Sequence, residues 1–198
     1  CRSTHEKRKE ESFRNLARPK LDGLLRMADD CGVYQHSRFG APDRLHGYCT
    51  DDTARALGLM ARLASEGALD PAALKLANSC AAFVNHAWSP GTGRFRNFMS
   101  FDRRWLDEGG SDDCCARALE ALCLVAKEWP HSDLREWATH LARDAMKHVG
   151  EWSSLRSQAL IIKSCIAGEG VVIQQAEARR HVYESGMVLM KALQEGGA

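Results

Sequence analysis

The feature that most constrains this chain is an alternation between two kinds of helical stretch. Apolar residues recur at helical spacing almost throughout, but the stretches differ in how much of their circumference is apolar. Residues 52–65 carry Ala54, Ala56, Leu57, Leu59, Met60, Ala61, Leu63 and Ala64, apolar on every side, as a buried helix requires. Residues 71–88 carry Ala73, Leu76, Ala77, Cys80, Phe83, Val84 and Ala87 as a one-sided stripe, with Asp70 as the expected N-cap and Pro71 at the first helical position. The sequence then repeats itself. Residues 113–127 are apolar all round, 132–149 one-sided, 154–167 apolar again, and 171–193 mixed and predicted helical. Such alternation predicts two layers, with buried helices lining an inside and amphipathic ones covering them. A row of such hairpins must stack or curve so that the inner helices meet. Val171-Val172-Ile173 is the only β-branched run, which argues against a parallel α/β fold. The expected class is all-α, built of helical hairpins.

An internal repeat strengthens this reading. Asp51-Asp52-Thr53-Ala54-Arg55-Ala56-Leu57 is similar to Asp112-Asp113-Cys114-Cys115-Ala116-Arg117-Ala118-Leu119, and both open an apolar helix. Arg156-Ser157-Gln158-Ala159-Leu160 reads as a degenerate third copy without the acids. The spacing exceeds the roughly 34–47 residues of common helical repeats, because two long loops, 31–50 and 89–111, separate the units. Loops of about 20 residues in a compact domain are usually functional or disordered. Aromatic, Arg, His and Asp residues fill both, which points to order and function.

Composition narrows the classes. The chain has 198 residues, 44% hydrophobic and 27% charged, enough for one domain with a conventional core. A charged tail over 1–12 and a single helical domain over 13–198 are expected. With 27 Lys+Arg against 26 Asp+Glu, the net charge of +1 offers no global field for nucleic acid or membrane. The first residues contain no apolar core of a signal peptide, and the eight cysteines show no CxxC pair, so reduced thiols in the cytoplasm are expected. Cys80, Cys123 and Cys165 fall in apolar helical patterns and read as core. His131, His140 and His148 read as solvent-facing.

The candidate chemistry lies where the two loops meet the helices. Asp51, Asp52, Asp112 and Asp113 place two acidic pairs over the N-termini of inner helices, facing one cleft. Paired carboxylates can divide acid and base roles, because burial and proximity push their pKa values apart. Inverting glycoside hydrolysis uses two carboxylates roughly 6.5–9.5 Å apart. Tyr48, Phe98 and Trp105 offer faces for sugar rings. His36, Arg44, His46, Asn97, Asp102, Arg103 and Arg104 offer partners for hydroxyls or a phosphate. The competing reading makes Asp51 and Asp112 plain N-caps, lets Arg55 and Arg117 pair with acids a turn away, and pairs Arg103 and Arg104 with Asp107 and Glu108. His36 and His46 match no metal motif, Gly91-x-Gly93 is too short for a phosphate loop, and neither metal nor cofactor is expected.

His46-Gly47-Tyr48-Cys49-Thr50-Asp51-Asp52-Thr53-Ala54-Arg55-Ala56-Leu57 and Arg96-Asn97-Phe98-Met99-Ser100-Phe101-Asp102-Arg103-Arg104-Trp105-Leu106 resemble bacterial helical proteins encoded near, or fused behind, family 1-type glycosyltransferase domains. More broadly, the chain resembles the six-hairpin (α/α) toroid glycosidase superfamily. The resemblance covers about residues 31–124. It implies an (α/α) toroid, here an incomplete ring, acting on or binding a glycan or sugar phosphate in a cleft at one end. It also implies partnership with a glycosyltransferase domain or a second copy. Cys115-Ala116 stands where the family tends to carry His-Gly, and Glu120 where an aromatic is usual. The alternative is a non-catalytic helical interaction or accessory module.

Overall fold

Three helical hairpins in series make up most of the described residues. A computed structural model describes residues 19–130 and 132–196; the tail over 1–12 and His131 lie outside them. A short helix α1 (Asp22–Arg26) precedes strands β1 (Tyr34–Arg38) and β2 (Ala41–Cys49). Then come α2 (Thr50–Ser65) and α3 (Pro71–Ala87), followed by three two-residue strands: β3 (Trp88–Ser89), β4 (Arg94–Phe95) and β5 (Phe98–Met99). Helices α4 (Asp112–Glu128), α5 (Asp133–Met146), α6 (Leu155–Gly168) and α7 (Gln175–Glu195) complete the chain.

The alternation read from the sequence becomes two layers. Helix α4 packs against α2 on one side, α6 on the other, and α5 behind. Its Leu119, Leu122, Cys123 and Val125 have no exposed surface. Each such leucine or valine stabilises the fold by roughly 1.5–3 kcal/mol relative to solvent. Helices α3 and α7 back α2 and α6 in the same way. The chain is therefore mostly helical, as expected. Asp70 caps α3, its Oδ1 accepting from the Ala73 amide at 2.8 Å, with Pro71 in the first turn. Cys80, Cys123 and Cys165 are fully buried.

The long loops differ from expectation. The first is an antiparallel β-hairpin rather than a loop, with Tyr34 opposite Tyr48 and a bulge before His36 opposite Asp43. Phe39 and Gly40, both at positive φ, make its two-residue turn. Strand β2 also pairs with β5 from the second loop, Tyr48 opposite Met99. The polar residues over 35–46 hid this pairing, because that part of the hairpin stands mostly in solvent and carries no apolar alternation. Val171, Val172 and Ile173 do not start the last helix. They form a turn that bonds back to Gly168 and buries Val172 and Ile173, and α7 begins at Gln175. Helix α5 stops at Met146, and a 3₁₀ turn follows over Val149–Glu151. His140 is exposed, but His148 packs its ring on Trp88, 6.0 Å between centroids.

Gly47 seats the two sheet neighbours together. Its φ is +62°, and a Cβ there would lie 2.1 Å from the Met99 carbonyl oxygen. Gly67, at φ +64°, has open space where its Cβ would be. Gly67→Ala should therefore cost about 1 kcal/mol of left-handed strain, and Gly47→Ala more than about 2 kcal/mol. Urea denaturation separates the two; equal losses would show that the β2–β5 contact yields freely.

Candidate functional site

The N-termini of α2, α4 and α6 gather at one end of the array, and side chains tie them together. Asp51 of α2 accepts from Arg55 at 2.7 Å and from Arg117 of α4 at 3.2 Å. Asp112 of α4 takes Arg94 at 2.6 Å and the backbone amides of Ser153 and Ser154, just before α6, at 2.7 and 3.2 Å. Asp113 accepts from the Ser154 hydroxyl and pairs with Arg156 of α6 at 3.3 Å. An acid from one hairpin thus binds a donor of the next. Helix dipoles favour this placement, since all three positive ends are matched by carboxylates.

The caps are not the expected ones. Ser111, not Asp112, caps α4, its hydroxyl accepting from the Cys114 amide at 3.3 Å. Helix α2 has Cys49 at the cap position with no side-chain bond of its own. Asn97 supplies the missing acceptor from the second loop, its Oδ1 facing the Asp51 amide at 3.4 Å and the Cys49 thiol at 3.2 Å. Asp107 in turn holds the amides of Asn97 and Phe98 at 2.8 Å. Arg117 pairs across to Asp51 rather than with an acid of its own first turn.

Within the two acidic pairs, Asp52 and Asp112 are displaced from the ordinary aspartate value in opposite directions. Burial pushes the Asp52 carboxyl up; Arg55, 3.5 Å away, opposes this, while Asp51 adds to it. Burial also acts on Asp112, but the Arg94 guanidinium and the Ser153 and Ser154 amides outweigh it and hold that carboxyl below the usual range. Asp52 opens on a cavity of about 500 Å³ between α1, β1 and α2, walled by Leu24, Met27, Tyr34, Gln35 and Leu59.

The other sequence candidates divide among separate places. Tyr48 is 1% exposed, and its hydroxyl donates to Asp29 at 2.7 Å, so it forms part of the hairpin's core and presents no ring face. Tyr34 gives Asp29 a second hydroxyl at 2.7 Å. Trp105 packs edge-on against Phe83 and His86, and Arg96 covers its ring at 4.8 Å. Arg103 binds Asp30 at 2.8 Å, and Arg104 binds Asp102 at 2.6 Å, so neither pairs with Asp107 or Glu108. His36 and His46 meet edge-on at 4.5 Å on the exposed hairpin, and Arg44 lies over Phe101 at 5.2 Å. Among the described residues no group of three His, Cys, Asp or Glu side chains is placed to hold a metal ion. Cys114 and Cys115 are buried thiols raised by burial. Asp113 thus sits with α6, while Arg103 reaches Asp30 in the turn before β1, and Asp102 and Arg104 pair with each other in the loop after β5.

Sequence reasoning passed over Glu120 as a charged group. It is 7% exposed inside α4 and takes Arg117 at 3.0 Å and Lys163 of α6. The signal was present: a lone acid in an otherwise apolar helix must find cations or lose its charge. No family profile matches the chain, and no curated protein and no solved structure matches it significantly.

The opposite shifts give opposite expectations. A lowered folded pKa at Asp112 stabilises the fold above the ordinary aspartate range, and that contribution is lost as pH falls through the lowered value. Asp112→Asn should cost about 1–3 kcal/mol at pH 7, with the deficit vanishing in acid. A raised folded pKa at Asp52 stabilises below the ordinary value and is lost as pH rises through the raised one. Asp52→Asn should therefore melt at or above the wild-type temperature at pH 7. Thermal melts from pH 3 to 8 check both.

Proposed function

We propose that the chain is a carbohydrate-active domain of (α/α)-toroid type, glycoside hydrolase-like or glycosyltransferase-associated, contributing three hairpins of an incomplete ring. The observation that carries this reading is Asp52: a half-buried carboxyl pushed up by burial, opening on a largely apolar cavity with Tyr34 in its wall, beside the N-terminal end of α2. A carboxyl poised in that way suits general acid work on a leaving-group oxygen. Asp51, Asp112 and Asp113 hold the frame through their ion pairs, and Asp52 is the carboxyl that lines the cavity. Tyr34 and Gln35 line the same cavity and offer a wall and a polar partner for a sugar. The buried free thiols support a reducing, cytoplasmic setting. Among the described residues no helix is long and apolar enough to cross a membrane.

A glycan array followed by reducing-end release assays tests this. Asp52→Asn should abolish release, by at least about 100-fold, while glycan binding and melting temperature persist. Release unchanged in Asp52→Asn, or an array without binding, would overturn the reading.

One observation favours the second reading, a non-catalytic interaction module. Helix α7 exposes Tyr183, Met187 and Met190 on one stripe, with Leu193 beside it. That surface suits a second copy or a glycosyltransferase domain. On this reading sedimentation velocity shows concentration-dependent association that Met187→Glu removes; a monomer at every concentration counts against self-association.

A further inference from the structure

The inner face of the array carries a cavity separate from the one at Asp52. Helix α2 brings Arg55 and Arg62 to it, α4 brings Arg117 and Glu120, and α6 brings Lys163. Its volume is about 280 Å³, near the small end of the roughly 300–1,000 Å³ of small-molecule sites. Gly58 keeps it open by letting α2 and α4 approach; a Cβ there would sit 3.2 Å from Leu124 Cδ1. The wall therefore holds four cations and one carboxylate.

The ion pairs organise these cations without cancelling them. Glu120, almost fully buried, fixes Arg117 through Nη1 at 3.0 Å and also takes Lys163. Asp51, at the rim, fixes Arg55 at 2.7 Å and the other side of Arg117 at 3.2 Å. Asp52 adds a longer pair to Arg55 at 3.5 Å, so three carboxylates hold three of the cations, and Arg62 has no ion-pair partner among the described residues. A guanidinium held by two acids has its remaining donors oriented before any ligand arrives, which lowers the ordering cost of binding.

We propose that this groove binds a phosphate monoester of a small sugar, its phosphoryl group taken by Arg62, Arg117 and Lys163. The cations outnumber the carboxylates that hold them, which favours an anion, and guanidinium forks suit phosphoryl oxygens. The cavity is of a size to seat a monosaccharide unit. The sugar half of the ligand rests on the carbohydrate reading above; the anion half rests on the groove alone.

Titration calorimetry on the whole chain at low salt tests it with inorganic phosphate, glucose 1-phosphate, glucose and glucuronate. Glucose 1-phosphate should bind at least about 5-fold more tightly than inorganic phosphate, glucose should not bind, and added salt should weaken both phosphate ligands. Arg62→Gln, at an exposed position, should weaken both by about 10-fold with an unchanged melting temperature. Phosphate binding unaltered in Arg62→Gln means an adventitious ion only and overturns the site. Glucuronate or inorganic phosphate binding as tightly as glucose 1-phosphate overturns the sugar-phosphate assignment. A silent glycan array with intact glucose 1-phosphate binding overturns the Asp52 cleft and leaves the groove standing. Glycan release without phosphate binding overturns the groove alone.

Discussion

The structure depends on enclosing α4. From Cys114 to Ala126 this helix is buried at every residue but Arg117, with Glu120 the one charged group among the buried ones. A helix apolar all round cannot rest at a surface, so it needs helices on both flanks and a third behind it. Helices α2, α6 and α5 meet that demand. The flanking helices then need covers of their own, which α3 and α7 provide. The row of hairpins follows from that one helix being placed inside.

Packing three inner helices in one direction sets an electrostatic problem and solves it with the same residues. Their positive N-terminal ends lie side by side and attract carboxylates. Asp51, Asp112 and Asp113 answer, and each also reaches a donor outside its own hairpin: Arg117, Ser153 and Arg156. Acids that look catalytic in a linear sequence thus serve first as staples between repeats. At the third copy of the repeat, which lacks the acids, Asp112 and Asp113 reach Ser154 just before α6. Asp52 has the longest ion pair of the four acids, to Arg55 at 3.5 Å, and it is the one that burial leaves raised.

Much of the architecture was legible because it is written in local period. The helix faces, the Asp70–Pro71 start and the buried cysteines all depend on residues within a few turns of one another. The parts that were not legible depend on partners far along the chain. Asn97 caps a helix that begins near Thr50, and Asp107 holds the loop that carries Asn97. Tyr48 reads as a sugar platform until Asp29 and Tyr34 are seen around its hydroxyl. The β-hairpin was hidden for a different reason: only its base is buried, so its tip has no apolar period to read. The acidic pairs were placed correctly at the helix starts, but their roles were set by Arg94, Arg117 and Arg156, whose positions only the tertiary fold decides.

Arg55 joins the two cavities into one electrostatic system. It lines both, and its guanidinium holds Asp51 at 2.7 Å and Asp52 at 3.5 Å. Its hold on Asp52 is the largest influence opposing the upward push of burial on that carboxyl. An anion seated in the inner groove competes for the same guanidinium, so Asp52 loses part of its counter-charge and its pKa rises further. The effect is reciprocal: protonating Asp52 frees Arg55 to face the groove and strengthens anion binding there. Half-exposure of Arg55 screens the coupling, which makes it modest and salt-dependent. Its direction is nonetheless fixed by geometry, because the cation that steadies the carboxylate on one side of α2 is also a wall of the groove on the other.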